Sequence, residues 1–265
     1  MLIEKIIHFI NNHIDDERTA VFTIYGDAGT GKSVVLSSLF YQIQKESRIQ
    51  SGKLANTKNY FLVNHPEILK VYKQIAGSIK ELYKKDYMCP TSFINQMDKK
   101  KEHADIVVID EAHLLLSKPD HYNNFYFQNH LQEIINRARV VILVFDQYQV
   151  LRMKSLWTLQ RLEKITHHYP HQDYFLRHQF RMTASDDLIK WFNDFTTGKL
   201  TKLPTDARRN YDFRIYDDEE KMRQEIVKRN AEVGLFRILS TSGYPSILDG
   251  GKHYITLRVV LVKSF

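Results

Sequence analysis

The sequence predicts an α/β fold, a parallel β-sheet flanked by helices, and three observations carry the prediction. Short apolar runs recur at 21–25, 60–63, 106–109 and 139–145, the pattern of strands buried on both faces. Segments with apolar residues at helical spacing lie between them. The first run stops at a glycine-rich loop and the third at two acids, so polar residues gather where strands end.

Ile3, Ile6, Ile7, Ile10 and Ile14 line one face of an opening helix. A polar stretch leads into the strand at 21–25. The loop that follows reads Gly26-Asp27-Ala28-Gly29-Thr30-Gly31-Lys32-Ser33. Its spacing, Gly-x-x-x-x-Gly-Lys-Ser between a strand and a helix, fits the phosphate-binding P-loop. Glycines let the backbone approach an anion, and successive N–H groups cradle phosphates at the positive end of a helix. Lys32 reaches the β- and γ-phosphates and the Ser33 hydroxyl is a ligand for Mg²⁺. Val34, Val35, Leu36, Leu39, Phe40 and Ile43 give the next helix its apolar face.

The strand at 60–63 ends in Asn64 and His65, where open α/β sheets place ligands, although a polar helix entry accounts for them equally well. Pro66 suits a first helical turn, and Ile68, Leu69, Tyr72 and Ile75 form that helix's apolar face. Residues 78–104 are charged and read as helical pieces. Lys99, Lys100 and Lys101 read as a solvated turn.

The run at 106–109 ends in Asp110-Glu111-Ala112-His113, a Walker B pattern. Asp110 is placed to hold Mg²⁺ beside Ser33, and Glu111 to accept a proton from the attacking water. In 117–130 aromatics alternate with amides. Stacking on unpaired bases and plain loop packing both fit, and packing is the simpler reading. A helix with Leu131, Ile134 and Ile135 precedes the strand at 139–145. Asp146-Gln147-Tyr148-Gln149 follow it, where a glutamine can sense a γ-phosphate.

His167, His168, His171 and His178 show no acid or cysteine at matching spacing and read as scattered surface histidines. A strand is predicted at 175–180, running into Arg181. Ser185 is the N-cap of a helix with Leu188, Ile189, Trp191 and Phe192, and Trp191 is assigned to the core. Residues 197–210 have linker composition. Beyond them strands are expected at 213–216, 235–240 and 254–262, with a helix over 218–230.

The 265 residues suffice for one large or two small domains. The single cysteine, Cys89, excludes a disulfide framework and suits a reducing, cytoplasmic setting. No apolar run reaches the length of a membrane span. The net charge of +7 permits nucleic-acid binding without establishing it.

Together, residues 26–33, 107–113, 145–149 and 176–181, with Ser185, Asp186 and Trp191 behind them, resemble the Schlafen-like DNA/RNA helicase domain of bacteria, a P-loop family related to superfamily 1 helicases. The Gln179-Phe180-Arg181 segment is the more specific part. The letters Asp-Glu-Ala-His alone suggest superfamily 2, but the Asp-Gln-Tyr-Gln after the next strand resembles superfamily 1. The resemblance implies a RecA-like sheet over residues 1–200, with 201–265 an incomplete second lobe of a shortened member. It implies that Gln149 couples nucleotide state to nucleic acid and that Arg181 reaches the γ-phosphate.

The expected function is Mg²⁺-dependent ATP binding and hydrolysis, coupled to single-stranded DNA or RNA, without unwinding by the chain alone. A partner or second copy would cover the unfinished lobe. The rival readings are a nucleotide-dependent switch without a nucleic-acid substrate and a small-molecule phosphotransferase.

Overall fold

The computed structural model describes residues 2–27, 29–146, 156–176, 185–205 and 214–234. The chain falls into two compact units, Met1–Met182 and Thr183–Phe265. The expectations at Gln149, Arg181, 235–240 and 254–262 lie outside the described residues.

In the first unit, helix α1 (Leu2–His13) precedes strand β1 (Ala20–Gly26) and helix α2 (Lys32–Ser47). Then come β2 (Asn59–Val63), α3 (Pro66–Ser78), β3 (Tyr87–Met88), α4 (Pro90–Lys100) and β4 (Ala104–Asp110). The unit continues with α5 (His130–Ile135), β5 (Ala138–Phe145), α6 (Leu159–Thr166) and β6 (His171–Leu176). The six strands form one sheet in the order β3-β2-β4-β5-β1-β6. Every pairing is parallel, as the apolar runs predict.

Alternation along the strands sends side chains to two cores. Phe22, Ile24, Phe61, Val108 and Ile142 pack with α1, α2 and α3 on one face. Val21, Leu62, Val107, Ile109 and Leu143 pack with α4, α5 and Trp157 on the other. Both faces of β1, β2, β4 and β5 are covered, so these strands carry no polar stripe. Ile6, Ile10 and Ile14 are buried as the opening periodicity requires.

Several expectations are corrected. Val34 and Ile75 are exposed, and Ala76 takes the inward place on α3. Within 78–104 lies β3, whose two residues are too short to show a period. The last strand of the sheet starts at His171 and not at residue 175. It lies at an edge, half exposed, so its first residues need not be apolar. In 117–130, Phe125 and His130 are buried while Tyr122 and Tyr126 face solvent.

In the second unit, Ser185 stands at the N-cap of α7 (Asp186–Thr196), whose Leu188 and Trp191 are buried. The Trp191 indole N–H donates to the Thr201 carbonyl at 2.8 Å. Helix α8 (Glu219–Glu232) is capped by Asp218, which accepts from the N–H groups of Glu220 and Lys221. Residues 214–216 do not form the expected strand, and Ile215 is exposed.

Candidate nucleotide site

Sheet order assembles the site. β5 stands between β1 and β4, so the loop after β1, Asp146 after β5 and Asp110 at the end of β4 lie side by side at the carboxyl edge. Ligands in open α/β folds gather at that edge.

Gly26 closes β1 at a place with no room for a side chain. A Cβ there would stand 2.8 Å from the Thr30 hydroxyl oxygen and 3.1 Å from the Leu176 Cβ. The Thr30 hydroxyl donates to the Asp27 carbonyl at 2.8 Å and tightens the turn. Gly31 is the N-cap of α2 and is left-handed (φ 81°), a conformation open to glycine at little cost. Lys32 and Ser33 therefore open α2, where unpaired N–H groups and the helix dipole favour an anion.

The Lys32 ammonium is nearly buried. It donates to the Gly26 carbonyl at 2.8 Å, the Asp27 carbonyl at 2.7 Å and Asp146 Oδ2 at 3.0 Å. The Ser33 hydroxyl donates to Asp110 Oδ2 at 3.0 Å. The Tyr72 hydroxyl donates to the same oxygen at 2.6 Å, and the Glu111 N–H donates to Oδ1 at 3.0 Å. Asp110 is buried, and that burial raises its carboxyl pKa against the opposing pull of these three donors and of Lys32. Tyr72 is likewise held in its neutral form, by burial first and by the Asp110 charge next.

Glu111 adopts a left-handed conformation (φ 53°, ψ 49°), uncommon for a residue with a Cβ. Its Oε2 lies 3.3 Å from Nε2 of His113. Burial lowers the His113 pKa to about 4, so the ring is neutral at pH 7. Beside the loop, Tyr25, Gly26, Asp27, Phe145, Leu159, Phe175 and Leu176 line a cleft of about 290 Å³.

The structure thus brings Gly26, Asp27, Gly29, Thr30, Gly31, Lys32, Ser33, Asp110 and Glu111 to one edge. Ala28, Gln149 and Arg181 lie outside the described residues. Asn64 and His65 make structural bonds instead: Asn64 donates to the Leu114 carbonyl at 2.6 Å, and His65 caps α3. Sequence reasoning missed the role of Tyr72 and the partner of Asp146. Tyr72 sits within an apolar periodicity and shows nothing of its hydroxyl's partner. Asp146 was visible as a polar strand tip, but its pairing with Lys32 depends on strand order.

A family model described as Schlafen group 3, DNA/RNA helicase domain, matches residues 19–262. An uncharacterised protein of the yeast Saccharomyces cerevisiae is 36% identical over 280 residues, covering 95% of this chain and 62% of the relative. The chain therefore spans under two thirds of that relative, whose origin takes the likeness beyond bacteria. Among solved structures, the Pif1 helicase of Candida albicans aligns with 14% identity and a TM-score of 0.39 over 85% of this chain and 54% of that one. Domain III of the replication initiation protein DnaA of Thermotoga maritima aligns with 14% identity and a TM-score of 0.36 over 87% and 85%. The family match spans both motifs of the strand edge and nearly the whole sequence, and the chain belongs to the Schlafen group 3 DNA/RNA helicase domain family.

Proposed function

We propose that the chain binds ATP with Mg²⁺ at the loop 26–33 and hydrolyses it, with turnover coupled to single-stranded DNA or RNA. The observation that carries this reading is the 3.0 Å bond between Ser33 and Asp110. Two motifs far apart in sequence deliver a hydroxyl and a carboxylate to one point beside a buried lysine. Their oxygens are the hard donors Mg²⁺ takes, and a cation there offsets the burial that disfavours the Asp110 charge.

Ser33 and Asp110 would hold the Mg²⁺, which would supply positive charge against the charge that develops on the phosphate. Lys32 exchanges its loop carbonyls for β- and γ-phosphate oxygens. Glu111 takes the proton of the attacking water. By family resemblance, Gln149 senses the γ-phosphate and Arg181 binds it. The family's description as a DNA/RNA helicase domain supports the coupling to nucleic acid.

The test is the steady-state ATPase rate of the purified chain without nucleic acid and with single-stranded DNA, single-stranded RNA or duplex. Stimulation by a single strand is expected. Tight ATP binding with a rate that no nucleic acid changes would replace the coupling with a nucleotide switch.

A further inference from the structure

A second cavity, of about 610 Å³, opens at the amino edge of the sheet. Asn59 starts β2, Asp86 directly precedes β3, Glu102 lies two residues before β4, and all three line it. Gln44 and Ser47, from the last turns of α2, line it as well. Lys32 opens the same helix, so this cavity and the nucleotide site lie at opposite ends of α2, roughly 20 Å apart along its axis.

The floor is a directed chain of hydrogen bonds. Gln44 Nε2 donates to Asp86 Oδ2 at 2.7 Å, and Asn59 Nδ2 donates to Gln44 Oε1 and to Thr57 Oγ1, each at 3.0 Å. One end sets the direction. A carboxylate only accepts, so the Gln44 nitrogen turns to Asp86 and its oxygen to Asn59. Asn59 thus uses both amide hydrogens, and its Oδ1 is buried with no partner among the described residues. Gln44, Asn59 and Asp86 are each more than nine-tenths buried, and buried acceptors call for donors. Burial raises the Asp86 carboxyl pKa, while Lys85, Arg48 and the Gln44 amide pull it back toward the charged form.

The rim is cationic. Arg48, Lys58, Lys85 and Lys100 face two carboxylates, Asp86 and Glu102, and Glu102 is already paired with Lys58 at 3.1 Å. Arg48 is held at the rim by the Tyr83 ring, 3.9 Å from its centre, and by a 2.9 Å bond to the Lys80 carbonyl. A fitting ligand offers N–H donors to the floor and negative charge to the rim. Bare phosphate lacks the first and an amine lacks the second, whereas a nucleotide has both. Guanine carries two adjacent donors, N1–H and N2–H, on one edge, which match an acceptor-only carboxylate. We propose that this cavity binds a guanine nucleotide, with the base edge on Asp86 and Asn59 and the phosphate among Arg48, Lys85 and Lys100.

The test is calorimetric titration of the full chain, wild type and Lys32→Ala, with GMP, AMP, guanosine, ribose 5-phosphate and inorganic phosphate. The Lys32 variant takes the loop 26–33 out of the measurement. One GMP per chain is expected in both forms, bound at least ten-fold more tightly than any other probe. Asp86→Asn and the double variant Lys85→Ala, Lys100→Ala should each weaken GMP at least ten-fold. Neither should change the affinity for a non-hydrolysable ATP analogue at the loop. The exposed Lys99→Ala, outside the cavity, should leave GMP binding as it is. Circular dichroism checks the fold, and the exposed lysine pair tests the site even if Asp86→Asn disturbs the floor. Competition by a guanine-bearing trinucleotide tells whether the guanylate is taken free or within a strand. Phosphate or ribose 5-phosphate binding as tightly as GMP would reduce the rim to an anion patch and overturn the proposal. GMP binding that Lys32→Ala abolishes, that the cavity variants leave intact, or that AMP equals would overturn it too.

Discussion

The ammonium of Lys32 lies 3.0 Å from a carboxylate oxygen of Asp146, with the two side chains 7% and 1% exposed. These residues are 114 positions apart in sequence, and they meet because β5 lies directly beside β1. A buried pair of this kind acts mainly through the penalty for breaking it, since the abandoned charge stays out of water.

Lys32→Ala should therefore have two effects. It should abolish tight binding of a non-hydrolysable ATP analogue in calorimetry. It should also lower the unfolding free energy in urea, by up to about 3 kcal/mol, because the ammonium is removed from beside the buried Asp146 carboxylate. Adding Asp146→Asn should restore part of that stability and none of the binding. Unchanged nucleotide affinity in the single variant would remove Lys32 from the site.

Glu111→Gln keeps the side-chain shape and removes the proton acceptor. ATP affinity should stay within about two-fold of wild type while turnover falls at least about ten-fold, the low end for loss of a general base. Single-turnover kinetics separate the two. A variant as fast as wild type would assign the base elsewhere.

Tyr72→Phe tests the hydroxyl on Asp110. A hydrogen bond to a charged group contributes about 1.5–3 kcal/mol, and its donor here is buried. Urea unfolding should show a loss in that range. A change under about 0.5 kcal/mol, the level of an ordinary surface substitution, would mean that Ser33 and the Glu111 N–H hold the carboxylate without help.

Stability should depend on pH through two buried histidines. Burial lowers His113 to about 4 and His130 to about 3 from an ordinary 6.5. His130 Nδ1 accepts from the Leu116 N–H at 3.0 Å, and Nε2 faces the Thr91 hydroxyl at 3.0 Å. The folded ring has no place for a second proton. Between pH 6.5 and 4 the unfolded chain binds protons that the folded chain refuses, so stability falls as pH falls. Each histidine contributes a slope of about 1.4 kcal/mol per pH unit in that window and none above pH 7. Urea midpoints at pH 7.5 and 5.0 check this. Equal midpoints would show that the rings are protonated in the folded state.

The central strands were legible in the sequence because burial on both faces makes them continuous apolar runs, as in 106–109 and 140–145. The edges were not. β6 begins His171-Gln172-Asp173, polar because that strand is half exposed, so the predicted start fell four residues late. The loop 26–33 and Asp110 were readable from spacing, since their chemistry is local. Tyr72 and Asp146 owe their roles to which strand lies next to which.

Sheet order also sets a schedule for assembly. β1 is synthesised before both of its neighbours, β5 and β6, and Ala20 pairs with Val140 some 120 positions later. At roughly 5–20 residues per second on the ribosome, β1 waits on the order of 6–24 s for its first partner strand. During that time its apolar face and the glycine loop at its end have no sheet to join. β2, β3 and β4, close in sequence and adjacent in space, can pair first. The phosphate-binding end of the molecule is thus made early and completed late, and nascent chains stalled before residue 138 should carry β1 as an exposed, chaperone-dependent segment.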